Sequence, residues 1–173
     1  NCSAAEHITL REILLKAGAE QNIREFGFYA MNALRLEKGF GIWSAEFTQD
    51  RTPGMTGMDR WIDWSRDDFI GHEAAAKERS EGKVSQRLVT LDIDADDADA
   101  SGYEPIWQND KRVGFVTSGG YGHYTGKSLA MGLLDTGVNE DDGPLMVDVV
   151  GKRRSARTLA EPAWDPKGLR IRV

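Results

Sequence analysis

Little in this chain can staple or anchor it. Among 173 residues there is one cysteine, Cys2, and there are five prolines. A lone cysteine cannot close an internal disulfide. It fits a reducing compartment: the cytoplasm, or the mitochondrial matrix in a eukaryote. The three histidines, His7, His72 and His123, stand far apart, and no Cys/His cluster has zinc spacing, so no metal site is expected. No apolar run approaches the roughly 20 residues that span a bilayer, so no membrane association is expected. No signal peptide is visible. Excess positive charge is missing too. The formal net charge is −6, which argues against nucleic-acid binding but leaves room for a local basic pocket. The first residue is Asn, so the start has been processed or the chain is a piece of a longer one.

What is present suits a packed core: 40% hydrophobic and 29% charged residues, with nineteen glycines that imply many turns. The glycines concentrate in "TSGGYGHYTGKS", residues 117–128, which ends like a phosphate loop. The spacing fails. A phosphate loop needs Gly, four residues, then Gly-Lys-Ser, and the required first glycine is Tyr121. The run that follows, "SLAMGLLD", lacks a helical stripe and reads as a strand.

Residues 9–20 read as a helix, with Leu10, Ile13, Leu14 and Ala17 on one face and Thr9/Glu12 at capping-box spacing. A second helix is expected over about 27–38. Phe28, Met31 and Leu34 share a face there, Leu34 and Leu36 are expected to be buried, and Gly39 can take the left-handed cap. Residues 40–65 lack a long period and read as irregular loops with a short strand at about 59–64. A third helix follows at about 71–80, stopped by Gly82. From Gln86 onward, strand-like runs alternate with turn signals: "QRLVTLDID", "EPIWQ", "KRVGFVTS", "KSLAMGLL", "LMVDVVG" and "RRSARTLAE". "QNDK" reads as a hairpin turn. This spacing predicts a small antiparallel barrel or sandwich.

"DIDADDADA", residues 92–100, begins with calcium-loop spacing. It then places Asp97 where a glycine is needed and Tyr103 where a bidentate Glu is needed, so it reads as a solvated acidic turn. "GKRRSAR", residues 151–157, suits an exposed turn and edge strand better than an anion site. His123 is a possible acid or base without an obvious partner in sequence, so a structural hydrogen bond is the plainer role. Arg35 lies where the second helix runs into the aromatic loop. Its planar fork suits a carboxylate, and the nearby Trp43 suits stacking on a flat ring. An intrahelical salt bridge or a surface charge is the plainer alternative.

Four stretches together resemble the folate-binding glycine cleavage T-protein superfamily: "NALRLEKGFGIWSAEFT", "TPGMTGMDRWIDW", "DFIGHEAA" and "EPIWQNDKRVGFVTSGGYGHYTGKSLAMGLL". They occur in the family's order over about residues 25–165. They look closest to the branch fused to dimethylglycine and sarcosine dehydrogenases. The resemblance implies an α+β fold. Residues 1–82 would be the end of a folate-binding domain and residues 83–173 the C-terminal β-barrel domain, with the glycine-rich run joining two barrel strands. It implies tetrahydrofolate as cofactor and transfer of a one-carbon unit from a small amine. The folate-binding candidates are Arg35, Glu37, Trp43 and Arg170. The family's catalytic aspartate lies in an N-terminal half that these residues do not match, so no catalytic residue is expected here and the isolated chain should be inactive. The expected partners are that N-terminal half of the same fold and a flavin dehydrogenase domain. Self-association through the half-built pocket is a further expectation. A free glycine-cleavage aminomethyltransferase and a non-catalytic folate-binding or docking module remain alternatives.

Overall fold

A computed structural model describes residues 1–172. It divides into two compact units, Asn1–Met31 and Asn32 to the C-terminus. In the first, helix α1 spans His7–Ala17. The Thr9/Glu12 cap is not used. The chain enters α1 through a single 3₁₀ turn at Ala4–Glu6, and the Ser3 backbone N–H and hydroxyl both donate to the Glu6 carboxylate. The same box chemistry operates two turns of sequence earlier, and Thr9 lies inside the helix. Arg11 closes this unit by a two-pronged pair with Glu25.

Helix α2 spans Phe28–Glu37, so the division between the units falls within it. It ends as expected, on Gly39 at φ +67. Its buried positions are Ala33, Leu36 and Glu37, while Phe28, Met31 and Leu34 are exposed. The apolar stripe read from the sequence is therefore real but is not the face that packs. Helix α3 is short, Pro53–Thr56, with Thr52 as N-cap and Pro53 at the first turn. The strand expected at 59–64 does not form. A 3₁₀ turn at Asp59–Trp61 takes its place, and Trp64 donates its indole N–H back to the Asp59 carbonyl. Helix α4, His72–Glu81, ends on Gly82 at φ +61.

Six strands follow: β1 Gln86–Ile93, β2 Pro105–Gln108, β3 Lys111–Gly122, β4 Lys127–Asp135, β5 Leu145–Val149 and β6 Lys152–Leu159. They close into an antiparallel barrel in the order β1-β4-β3-β2-β5-β6. The hairpin at "QNDK" forms as read, with Asn109 and Asp110 both in the left-handed region. The barrel core comes from alternate positions, among them Leu91, Ile93, Ile106, Val116, Leu134 and Val147. β4 is buried on both sides. Ala130 and Leu134 point into the barrel, while Leu129 and Met131 pack with Leu36 of α2 in a second cluster. That two-sided burial is why "SLAMGLL" reads as a continuous apolar run. Burying a side chain such as Leu36 stabilises by about 1.5–3 kcal/mol.

The basic run 151–157 is not on an edge. β6 pairs with both β5 and β1. Its cations meet the acidic turn instead: Lys152 and Arg154 bond Asp97, and Arg157 joins Lys127 on Asp92. The two charged runs of the sequence thus neutralise each other across the closing strand.

The candidate site around the end of helix α2

The glycines of 117–128 make room for chain crossings. A β-carbon at Gly119 would overlap the Ala100 carbonyl oxygen, and one at Gly122 would lie 2.8 Å from Glu37 Cγ. Gly126, at φ +68, supplies the left-handed turn between β3 and β4. This close approach lets α2 and the loop after it lie against the strands.

Glu46 is the residue the sequence reading missed. It is fully buried and accepts four hydrogen bonds. Its Oε2 takes the Ile42 amide at 2.7 Å and the Arg35 Nη1 at 3.1 Å. Its Oε1 takes the hydroxyls of Thr117 and Ser118, both at 2.6 Å. A buried carboxylate is tolerable only with such a set of donors. Neighbours running from Arg35 to Ser118 leave no local pattern to read.

Arg35 therefore makes a different ion pair from either of the plainer readings. It bonds Glu46 from α2, and its Nε and Nη2 both donate to Asn32 Oδ1, at 3.0 and 2.7 Å. Asn32 in turn donates to the Gly119 carbonyl at 3.2 Å. Burial pulls the Arg35 pKa below its ordinary value, and the Glu46 carboxylate opposes that pull. The side chain is 11% exposed.

The loop held by this pair turns at Ser44, which sits at φ +71, and it presents Trp43 at 78% exposure. A guanidinium pinned from behind and a flat aromatic ring open to solvent are thus on adjoining segments. Glu37 points elsewhere. It is 2% exposed, and its Oε1 accepts the amides of Tyr124 and Thr125 at 2.9 and 2.7 Å and the Thr125 hydroxyl. It fixes the tip of the β3–β4 hairpin. His123, on that tip, is exposed and meets the Tyr121 ring edge-on at 5.1 Å. The Arg170 side chain is exposed, and its backbone N–H donates to Asp165. So Arg35 and Trp43 share one loop-and-helix assembly, Glu37 braces the hairpin tip, and Arg170 belongs to the C-terminal segment.

No helix among the described residues is long and apolar enough to cross a membrane.

Two family profiles match the chain. The glycine cleavage T-protein C-terminal barrel domain matches residues 86–165, and the GCVT N-terminal domain matches residues 1–66. The chain is 39% identical over 155 residues to the mitochondrial dimethylglycine dehydrogenase of Mus musculus, which covers 89% of this chain and 18% of that protein. It is 32% identical over 164 residues to an aminomethyltransferase of Anoxybacillus flavithermus, covering 94% of this chain and 44% of that protein. Its fold is similar to the crystal structure of glycine cleavage system aminomethyltransferase T from Bartonella henselae, with a TM-score of 0.79 and 22% identity over 90% of this chain and 44% of that one. The chain thus spans less than half the length of each.

Proposed function

This chain belongs to the glycine cleavage T-protein superfamily, and from that premise we propose that it carries the folate-anchoring part of a tetrahydrofolate-dependent one-carbon transferase. The parent activity we assign is that of the methylated-amine dehydrogenase branch, acting on a small amine such as dimethylglycine or sarcosine, with a flavin domain elsewhere in the protein. The higher identity to dimethylglycine dehydrogenase than to aminomethyltransferase favours this branch. A free glycine-cleavage aminomethyltransferase is the second reading, and the same anchor would serve it. In a eukaryote the mitochondrial matrix is the expected location.

One observation carries the reading. The Arg35–Glu46 pair locks the loop bearing Trp43 to both α2 and β3, so the backbone that carries the open aromatic ring is held in fixed relation to the guanidinium. A fixed backbone is what a binding group needs, because it leaves less ordering cost for the ligand to meet. The donor set suits folate in kind. Trp43 is a ring for stacking, and Arg35 and Arg170 are cations for the glutamate end. Tetrahydrofolate, when bound, supplies the nitrogen that accepts the one-carbon unit. This chain's residues bind and orient it, which is the proximity part of catalysis. The acidic group of the reaction comes from outside these residues, so the isolated chain is inert.

The unit Asn1–Met31 contains no buried residue, although Leu10, Ile13, Leu14 and Phe26 are apolar. The rest of the folate-binding half is the partner we assign to that face.

Calorimetric titration with a stable reduced folate tests the reading. Arg35→Ala should weaken binding about 10- to 100-fold, the scale of a charge-assisted hydrogen bond. Trp43→Ala, at an exposed position that leaves folding intact, should weaken it by about tenfold. Unchanged affinity in both variants would overturn the assignment.

A further inference from the structure

Asp165 does more than end the barrel. The last barrel pairing closes at Leu159 of β6, so the residues beyond it are not needed to complete the sheet. Yet Asp165 is one of the most constrained positions in the molecule. It adopts φ +46, in the left-handed region that few non-glycine residues occupy. Its side chain is 5% exposed and pairs with Lys38, itself 8% exposed, at 3.4 Å. The Lys38 ammonium also donates to the Asp165 carbonyl. Asp165 Oδ1 accepts the Leu169 amide at 2.7 Å, and Oδ2 accepts the Arg170 amide at 3.1 Å. Next to it, the Trp164 amide donates to the Glu37 carbonyl at 2.9 Å, and the Trp164 ring lies 5.6 Å from the Lys38 ammonium and edge-on to Tyr124.

A buried ion pair of this kind contributes little net stability compared with two apolar residues of the same size. What it does supply is a single geometry. One carboxylate oxygen receives both the Lys38 ammonium and the Arg170 amide, so the backbone of Arg170 is tied to the residue one turn beyond Arg35 on the chain.

We propose that Lys38 and Asp165 are positioning residues that clasp segment 164–170 to the C-terminal end of α2 and so hold Arg170 at the ligand site organised by Arg35. The proposal rests on the folate reading above, and it adds the two residues that would set where the second cation stands.

Two readouts separate the clasp from that reading. The first ignores ligand. In the protein at its full natural length, tryptic cleavage after Lys167 and Arg170 is followed by mass spectrometry. Asp165→Asn and Lys38→Met should each speed cleavage at these two sites about tenfold, because the segment opens without the barrel. Lys38→Met keeps the stem's packing and remains informative if Asp165→Asn folds poorly. The second readout is affinity for a stable reduced folate. Arg170→Ala should weaken binding in the parent protein and have no effect in the Asp165→Asn background, whereas Arg35→Ala should weaken binding in both. Unchanged cleavage after Lys167 and Arg170 in both clasp variants overturns the proposal. So does an Arg170→Ala penalty that persists without Asp165. If neither arginine variant alters affinity while cleavage is still faster in the clasp variants, the folate reading has failed, and this role for the clasp falls with it.

Discussion

Glu46 shows no solvent exposure, yet three of its four donors come from other elements, Arg35 from α2 and Thr117 and Ser118 from β3. The two ways of removing it should differ sharply. Glu46→Ala leaves Arg35 buried without its counter-charge and two hydroxyls without an acceptor, and should cost about 3–5 kcal/mol. Glu46→Gln retains an acceptor and the side-chain volume and should cost less than half as much. Urea unfolding of the two variants checks this, and equal losses would show that charge plays no part. A second test at this scale concerns Asp92. Burial alone would raise its pKa, but the Lys127 and Arg157 partners outweigh that and hold it below the ordinary 3.8. A carboxylate with a lowered folded-state pKa stabilises the fold above its unfolded value and loses that contribution as pH falls through the folded one. The stability gap between the parent chain and Asp92→Asn should therefore be full above about pH 5 and shrink as pH falls below 3.8. Thermal melts across pH 2.5–7 on the order of half-unit steps would reveal it. Arg35 and Trp43 were legible as candidates because their chemistry is written in the residue type. Glu46 was not, because a loop glutamate looks solvated until α2 and β3 converge on it.

At the scale of elements, legibility followed the strength of local signals. All six strands could be read because alternation and turn residues recur from Gln86 onward. Gly39 and Gly82 ended their helices as expected, because a left-handed glycine is a local device. The missed features were those decided by packing. The 59–64 segment has strand-like residues but no free strand to pair with, so it winds into a turn. The stripe Phe28–Met31–Leu34 lies on α2, but Leu36 is the residue that meets Leu129 and Met131. The closure of β6 on β1 has no sequence signature at all. Two substitutions test the geometry of the strands. Gly119→Ala drives a β-carbon into the Ala100 carbonyl, a backbone atom that cannot rotate away, and should cost at least about 1–3 kcal/mol. Val150 is the opposite case. It turns β5 into β6 at φ +49 with its side chain 73% exposed, a poor place for a β-branched residue. Val150→Asn should stabilise by about 1 kcal/mol, read as a higher urea midpoint at unchanged slope.

For the whole molecule, the decisive contrast is between a well-filled barrel and a first unit with nothing buried. The barrel's core residues are almost fully enclosed by the strands themselves. The unit Asn1–Met31 exposes Ile13 at 58%, Leu14 at 54% and Phe26 at 65%. An amphipathic helix with its apolar face in water gains little from folding, since most helical stability comes from packing that face. Water-exposed apolar surface of this kind is covered when a partner is at hand, and when none is, copies of the chain cover one another. The 173-residue chain by itself should therefore associate as its concentration rises, and Leu14→Glu, which puts charge in the middle of that face, should weaken the association. Sedimentation velocity over about a hundredfold range of concentration separates the cases. A parent chain that sediments as a monomer throughout would show that this face is tolerated in water. A parent that associates and a Leu14→Glu variant that does not would identify the apolar face of α1 as the associating surface. The urea midpoint of the barrel should then be the same in both proteins, because no barrel residue has changed.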